Sequence, residues 1–157
     1  MNMRPACGFK LGPMKRLLTL AAVAFLAVAA SAQWSNPSDD IPAYHAAAPS
    51  STLPVLLTPA QLKAQSFNLD WQSKVYADAA KVPKVLYQLP CFCRCDRALG
   101  HTSLHSCFEG THGAVCSTCA KEGYYAYLMT KQGKTVKQIR DGIMHKEYES
   151  IDLQTIS

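Results

Sequence analysis

The sequence has no hydrophobic run long enough to span a bilayer. Its longest apolar stretch, Leu17 to Ala32, is 16 residues, and a spanning helix needs about 20. It has no glycine loop of the phosphate-binding type and no nucleophile elbow, so nothing in it points to a nucleotide-dependent enzyme or a hydrolase. The acidic residues are scattered and form no paired-carboxylate pattern. No Cys-x-x-Cys-His is present, because residue 120 is Ala, which removes c-type haem. The C-x2-C-x2-C spacing of ferredoxins is absent too. No stretch alternates polar and apolar convincingly, so no strand is expected, and no internal repeat stands out. Charged residues are only 17% of the chain, too few for a charge-rich disordered protein. A binding protein is expected, not an enzyme.

Positive charge is concentrated at one end. The formal net charge is +5, with 16 basic and 11 acidic residues. Removing Arg4, Lys10, Lys15 and Arg16 leaves 12 basic residues against 11 acidic ones. A net of +1 on the rest argues against a nucleic-acid partner. Met14-Lys15-Arg16, the apolar run and Ala30-Ser31-Ala32 form a basic start, an apolar middle and a small-residue cleavage site. Together they read as an export signal cleaved near Ala32, with residues 1–13 as an upstream extension. The chain is therefore expected to be periplasmic or secreted, with no stable membrane insertion after cleavage. Cys7 falls outside the mature region and receives no role.

Residues 33–57 are rich in Pro, Ser and Ala without periodicity and read as a flexible linker. Thr58-Pro59 is a helix start, with Thr as the cap and Pro at the first helical position, and a short helix to about Gln65 follows. Trp71, Val75, Ala79 and Val82 form one apolar stripe and predict a helix over 69–81, which Pro83 stops or resets. A longer helix is expected from about Ala114 to Lys131, with Tyr124, Tyr127 and Leu128 on one face and Gly133 as its C-terminal cap. Thr135 with Gln138 is a capping-box pattern. It opens a last helix lined by Val136, Ile139, Ile143 and Tyr148, which makes a C-terminal αα-hairpin. The fold expected is all-α: a small helical domain over 58–148 with an irregular cysteine-rich region, then a tail over 149–157. So small a core calls for a staple or a metal.

Six cysteines remain in the mature chain: Cys91, Cys93, Cys95, Cys107, Cys116 and Cys119. In Cys91-x-Cys93-x-Cys95, an extended backbone would put all three sulfurs on one face, and a tight loop would wrap them round one ion. Neighbouring Cys-x-Cys thiols bridge each other poorly. Cys116-x-x-Cys119 at a helix N-terminus should gain thiolate character from the helix dipole. His101 and His112 lie among the thiols and join them as candidate ligands. His105 ranks lower, and His145 near a helix C-terminus reads as structural. Six thiolates and two imidazoles are eight donors. They would fill two tetrahedral zinc sites or one small Cu(I)–thiolate cluster, since soft sulfur selects Cu(I). An exported chain with an even cysteine count could instead form three disulfides, in any of 15 pairings, as a stapled interaction module; this ranks below metal binding. A thiol–disulfide oxidoreductase using Cys116 and Cys119 is the third reading.

These blocks resemble the bacterial family named for its PCYCGC motif. The motif stands here as Pro90-Cys91-Phe92-Cys93-Arg94-Cys95, with Phe92 for Tyr and Arg94 for Gly. Gly100-His101-Thr102-Ser103-Leu104 with Cys107-Phe108, His112-Gly113-Ala114-Val115-Cys116-Ser117-Thr118-Cys119, and Gly133-Lys134-Thr135-Val136 with Ile139-Arg140 extend the likeness over about 58–148. The resemblance implies an exported or lipid-anchored protein with no established activity, though no lipid-attachment cysteine follows the apolar run here. It associates His101 and His112, but not His105, with the motif blocks. The reading that emerges is an exported metal-binding protein, with copper preferred over zinc. It would sequester its metal or pass it between donor and acceptor proteins.

Overall fold

The computed structural model describes residues 41–156. The export segment, Cys7 and residues 33–40 of the expected linker lie outside the described residues. The described residues carry eight short α-helices and two 3-10 turns joined by loops, with no strand among them. Helix α1, Pro59–Ala64, starts as the local pattern predicts. Thr58 caps it, the Gln61 side chain accepts from the Thr58 N–H at 2.8 Å, and Pro59 occupies the first turn where no N–H is needed. Helix α2 is Asp70–Ala79, with Val75 and Ala79 fully buried. Pro83 both ends that stretch and opens the single turn α3, Pro83–Leu86.

Four short elements then carry the chemistry. They are α4 (Cys95–Leu99), α5 (Ser106–Glu109), α6 (His112–Val115) and the first turn of α7 (Ser117–Lys131). The helix expected to begin near Ala114 is broken, because Cys116 takes an extended conformation (φ −110°, ψ 109°) between α6 and α7. At the far end of α7, Gly133 adopts φ +75°, the left-handed conformation that glycine tolerates. Its N–H bonds to the Thr130 carbonyl and that of Lys134 to the Met129 carbonyl, which closes the helix with a Schellman pair. The capping box of Thr135 and Gln138 then opens α8, Val136–Met144, which returns beside α7.

The buried face of α7 differs from the expected one. Tyr124, Tyr127 and Leu128 are only half-buried, and the Lys74 and Lys81 ammonium groups lie over the Tyr127 ring. The core side carries the small residues Cys119, Ala120, Gly123 and Ala126, together with Glu122 and Tyr125. Small side chains let α2 lie close along α7 and leave a slot for the ring of Phe108. Tyr124 and Tyr127 are apolar enough to suggest a core face, but close helix approach selects the side with the small residues instead.

The packed unit reaches beyond 58–148 on both sides. Residues 41–57, read as a solvated linker, lie along the domain: Leu56 is buried, and the Leu57 N–H donates to the Phe108 carbonyl at 2.9 Å. The His45 ring stacks on Tyr87 with centroids 3.8 Å apart, and Arg140 sits over Tyr44. After Tyr148, the turns Glu147–Ser150 and Leu153–Thr155 bring Leu153 and Ile156 into the core. Residues spaced this sparsely show no period, yet each finds an apolar seat.

Candidate metal centre

Long-range hydrogen bonds set the scaffold of the cysteine region. Tyr76, fully buried on α2, donates its hydroxyl to the Gly110 carbonyl at 2.7 Å. Gln72 on the same helix donates its side-chain amide to the Ala114 carbonyl at 2.9 Å. These two bonds tie the α5–α6 segment, which carries Cys107, His112 and Cys116, onto α2. The Phe108 ring packs edge-on to Tyr76, with centroids 5.0 Å apart. The Leu104 N–H donates to the Leu89 carbonyl at 2.9 Å, which fixes the start of the Cys91 loop against the segment before Cys107.

The Cys91–Cys95 stretch is a tight loop, not an extended strand. The Arg94 N–H returns to the Cys91 carbonyl at 3.2 Å, and Arg94 adopts φ +61° before Cys95 opens α4. That is the position where the motif has glycine. Glu122, fully buried on α7, accepts the Phe92 N–H at 2.9 Å and so holds the loop on the helix that bears Cys119. Its second oxygen is buried without a hydrogen-bond partner. Desolvation raises its pKa to about 8, so the carboxyl is held neutral below that pH. Glu122 did not stand out in the sequence. The signal that would have found it is an acid three residues after Cys119, on the face of the helix that also carries Ala126.

All eight proposed donors meet in this region. The Cys91 sulfur lies 3.1 Å from that of Cys119 and 3.4 Å from that of Cys93, and Cys93 and Cys119 are 3.3 Å apart. Cys95 and Cys107 approach to 3.4 Å. His112 Nε2 reaches the Cys93 sulfur at 3.5 Å, and His101 Nδ1 reaches that of Cys107 at 3.4 Å. The two imidazoles stand edge to face, with centroids 5.4 Å apart. His105 turns away to Glu109, at 2.9 Å, and the exposed His145 bonds the Asp141 carbonyl. Three sets of four donors each lie within 4.8 Å: Cys91, Cys93, Cys95 and Cys119; Cys93, His112, Cys116 and Cys119; Cys95, Cys107, His112 and Cys119. His101 belongs to none of the three sets and meets the cluster through the Cys107 sulfur, the His112 ring and the Cys95 carbonyl.

The six cysteines are free thiols. Disulfide sulfurs are about 2.05 Å apart. A disulfide framework also sorts sulfurs into isolated pairs, whereas Cys91, Cys93 and Cys119 each have two sulfur neighbours. A tetrahedral ion with metal–sulfur bonds of about 2.3 Å needs sulfur–sulfur edges of roughly 3.8 Å. The thiols lie a few tenths of an ångström inside that spacing, close enough for small side-chain rotations to open it. The donor set is soft and matches Cu(I) or zinc.

Burial divides the site. Cys91, Cys95, Cys107 and Cys119 are buried, while Cys93, Cys116, His101 and His112 are half-exposed. Pro42 and Ala43 cover the side of Cys91, Cys95 and His101, with the Ala43 N–H on Asp96 at 3.3 Å. Crowding also separates the thiols electrically. Cys93 is held below the usual thiol range by the neighbouring thiols of Cys107, Cys116, Cys119 and Cys91. Cys119 is pushed above it, chiefly by Cys107 and Cys116. Cys116 does not gain the low pKa expected at a helix N-terminus. Cys119 pulls it down, but Cys93 and burial outweigh that and leave it raised. His101 is lowered by burial and by His112, which favours the neutral imidazole that ligates metals.

A family model described as a protein of unknown function with PCYCGC motif matches residues 29–152. The chain belongs to this family. In the PCYCGC-motif member described here, the motif is the loop that delivers Cys91, Cys93 and Cys95 to Cys119. No curated protein and no solved structure matches the chain. Among the described residues, no helix is long and apolar enough to cross a membrane.

Proposed function

We propose that this PCYCGC-motif protein is an exported copper-binding protein that sequesters or delivers Cu(I) through its thiol–imidazole cluster. The observation that carries the reading is the convergence of six thiols and His112 into overlapping four-donor sets, with the His101 ring beside Cys107, in one partly buried site. Thiolate density favours Cu(I) over zinc, because soft sulfur donors match the softer ion. Bound metal would also shield the thiols from oxidation in an exported compartment. The basic and apolar N-terminal segment supports export.

The small gap beside Cys91 and Cys95 is lined by Pro42, Ala43, Asp96, His101 and Ser103. A dithiol oxidoreductase at Cys116 and Cys119 is disfavoured, because the Cys119 thiol is fully buried and crowded by the sulfurs of Cys91 and Cys93. Competition tests the metal. The full-length protein is loaded with zinc without air and titrated with Cu(I), with the ultraviolet thiolate-to-metal band and released zinc as readouts. The expected result is zinc displacement by Cu(I) with all six thiols engaged. Failure of Cu(I) to bind or displace zinc overturns the copper reading.

A further inference from the structure

The eight donors were counted as enough for two separate tetrahedral sites. Their placement does not divide that way. Cys119 is in all three four-donor sets, Cys93, Cys95 and His112 are in two each, and no two sets are disjoint. An ion that takes any one set removes Cys119 from the others.

Resting on the copper reading, we infer that the site takes a polynuclear Cu(I)–thiolate core, with Cys119 bridging metal ions at its centre. A thiolate sulfur keeps further lone pairs after binding one ion and can bind a second. An imidazole nitrogen has one lone pair and cannot, so the shared ligand must be a sulfur. Cys119 has the position for that role. It is fully buried and touches Cys91 and Cys93 at 3.1 and 3.3 Å. It projects from the first turn of a 15-residue helix, the longest among the described residues. The other sulfurs sit on loops and single turns around it and can adjust to the ions.

Charge points the same way. One monovalent ion held by three thiolates leaves a net charge of −2 in a partly buried site, and buried uncompensated charge is costly. A second Cu(I) that shares those sulfurs reduces the negative charge and needs fewer new ligands. Each added ion therefore favours the next. The singly loaded protein is the least favourable state, and loading is cooperative. Each thiol releases one proton when it first binds copper, a bridging sulfur's second Cu–S bond releases none, and no oxidation state changes.

The test is native mass spectrometry of the full-length protein during anaerobic titration with Cu(I) supplied as its acetonitrile complex. The expected spectra show metal-free and multiply loaded protein together, with the one-copper species always minor. Cys119→Ser is expected to abolish that cooperativity and lower the final copper count by more than one ion. The wild-type titration decides the matter even if that variant fails to fold. Accumulation of a one-copper species before a two-copper species overturns the bridged core and leaves the copper reading standing. Absence of any copper uptake overturns both.

Discussion

Gly123→Ala is expected to damage the metal site from a distance, through Phe108. Alanine is normally the better helix residue, by about 1 kcal/mol in a helix interior. Here a Cβ at residue 123 would stand 2.8 Å from Phe108 Cε2 and closer still to Cζ, whereas ordinary contacts are 3.4–4 Å. The ring has little room to retreat. Phe108 is fully buried, and its opposite edge faces Gly113, where a Cβ would already be 2.9 Å from Cε1. Overpacking costs about 1–3 kcal/mol, and a displacement approaching an ångström belongs at the upper end. The helix gain offsets about 1 kcal/mol of it, so the net destabilisation is about 2 kcal/mol. That should lower the melting temperature by roughly 10 °C for a domain of this size. Phe108 adjoins Cys107, so Cu(I) affinity should fall as well. The assay is reversible urea denaturation of reduced, metal-free protein, beside Cu(I) competition with a chelator. Phe108→Leu should relieve the clash, so the two changes together should cost less than their sum by more than 0.5 kcal/mol on the usual scale of coupled sites. A Gly123→Ala protein stabilised by about 1 kcal/mol would refute the packing argument.

Alkylation of reduced, metal-free protein should follow burial and thiol acidity. Cys93 is half-exposed and has a lowered pKa, so it should react first, and Cys91, Cys95, Cys107 and Cys119 should react last. Peptide mapping against time checks the order, and early labelling of Cys119 would contradict it. Glu122 has a folded-state pKa near 8 against an ordinary 4.5. The folded state therefore holds a proton over that range that the unfolded chain has released. Its contribution to stability is full below about pH 4.5, falls as pH rises, and is lost by about pH 8. Glu122→Gln keeps the acceptor for the Phe92 N–H and should flatten that part of the urea-denaturation pH profile; an unchanged slope would rule Glu122 out. Arg94 sits at φ +61°. Arg94→Val should destabilise by about 1–2 kcal/mol, since a β-branched residue fits that conformation badly, whereas Arg94→Gly should be tolerated. Equal loss in both variants would mean that the side chain of Arg94, not its backbone, matters.

What was legible in the sequence was local. The boxes at Thr58 with Gln61 and Thr135 with Gln138, the stop at Pro83 and the cap at Gly133 are written within a few residues, and the structure has each of them. The cysteine spacing announced a cluster; the His112 ring lies at Cys93 and the His101 ring at Cys107, while His105 turns to Glu109. The missed features depend on contacts between distant segments. The side of α7 with the small residues becomes the core face only because α2 and Phe108 arrive there. Leu153, Ile156 and His45 carry no periodic signal and are ordered by seats on other elements. Counting donors yields eight, but only their placement reveals that Cys119 is shared.

The most direct measurement is metal content together with a thiol count on the full-length protein, purified without air with its N-terminal segment intact. The account predicts more than one copper ion per chain. It also predicts that Cys91, Cys93, Cys95, Cys107, Cys116 and Cys119 all titrate as thiols, but only after denaturation and chelation. Metal-free protein with three disulfides and none of these six thiols recovered would contradict it.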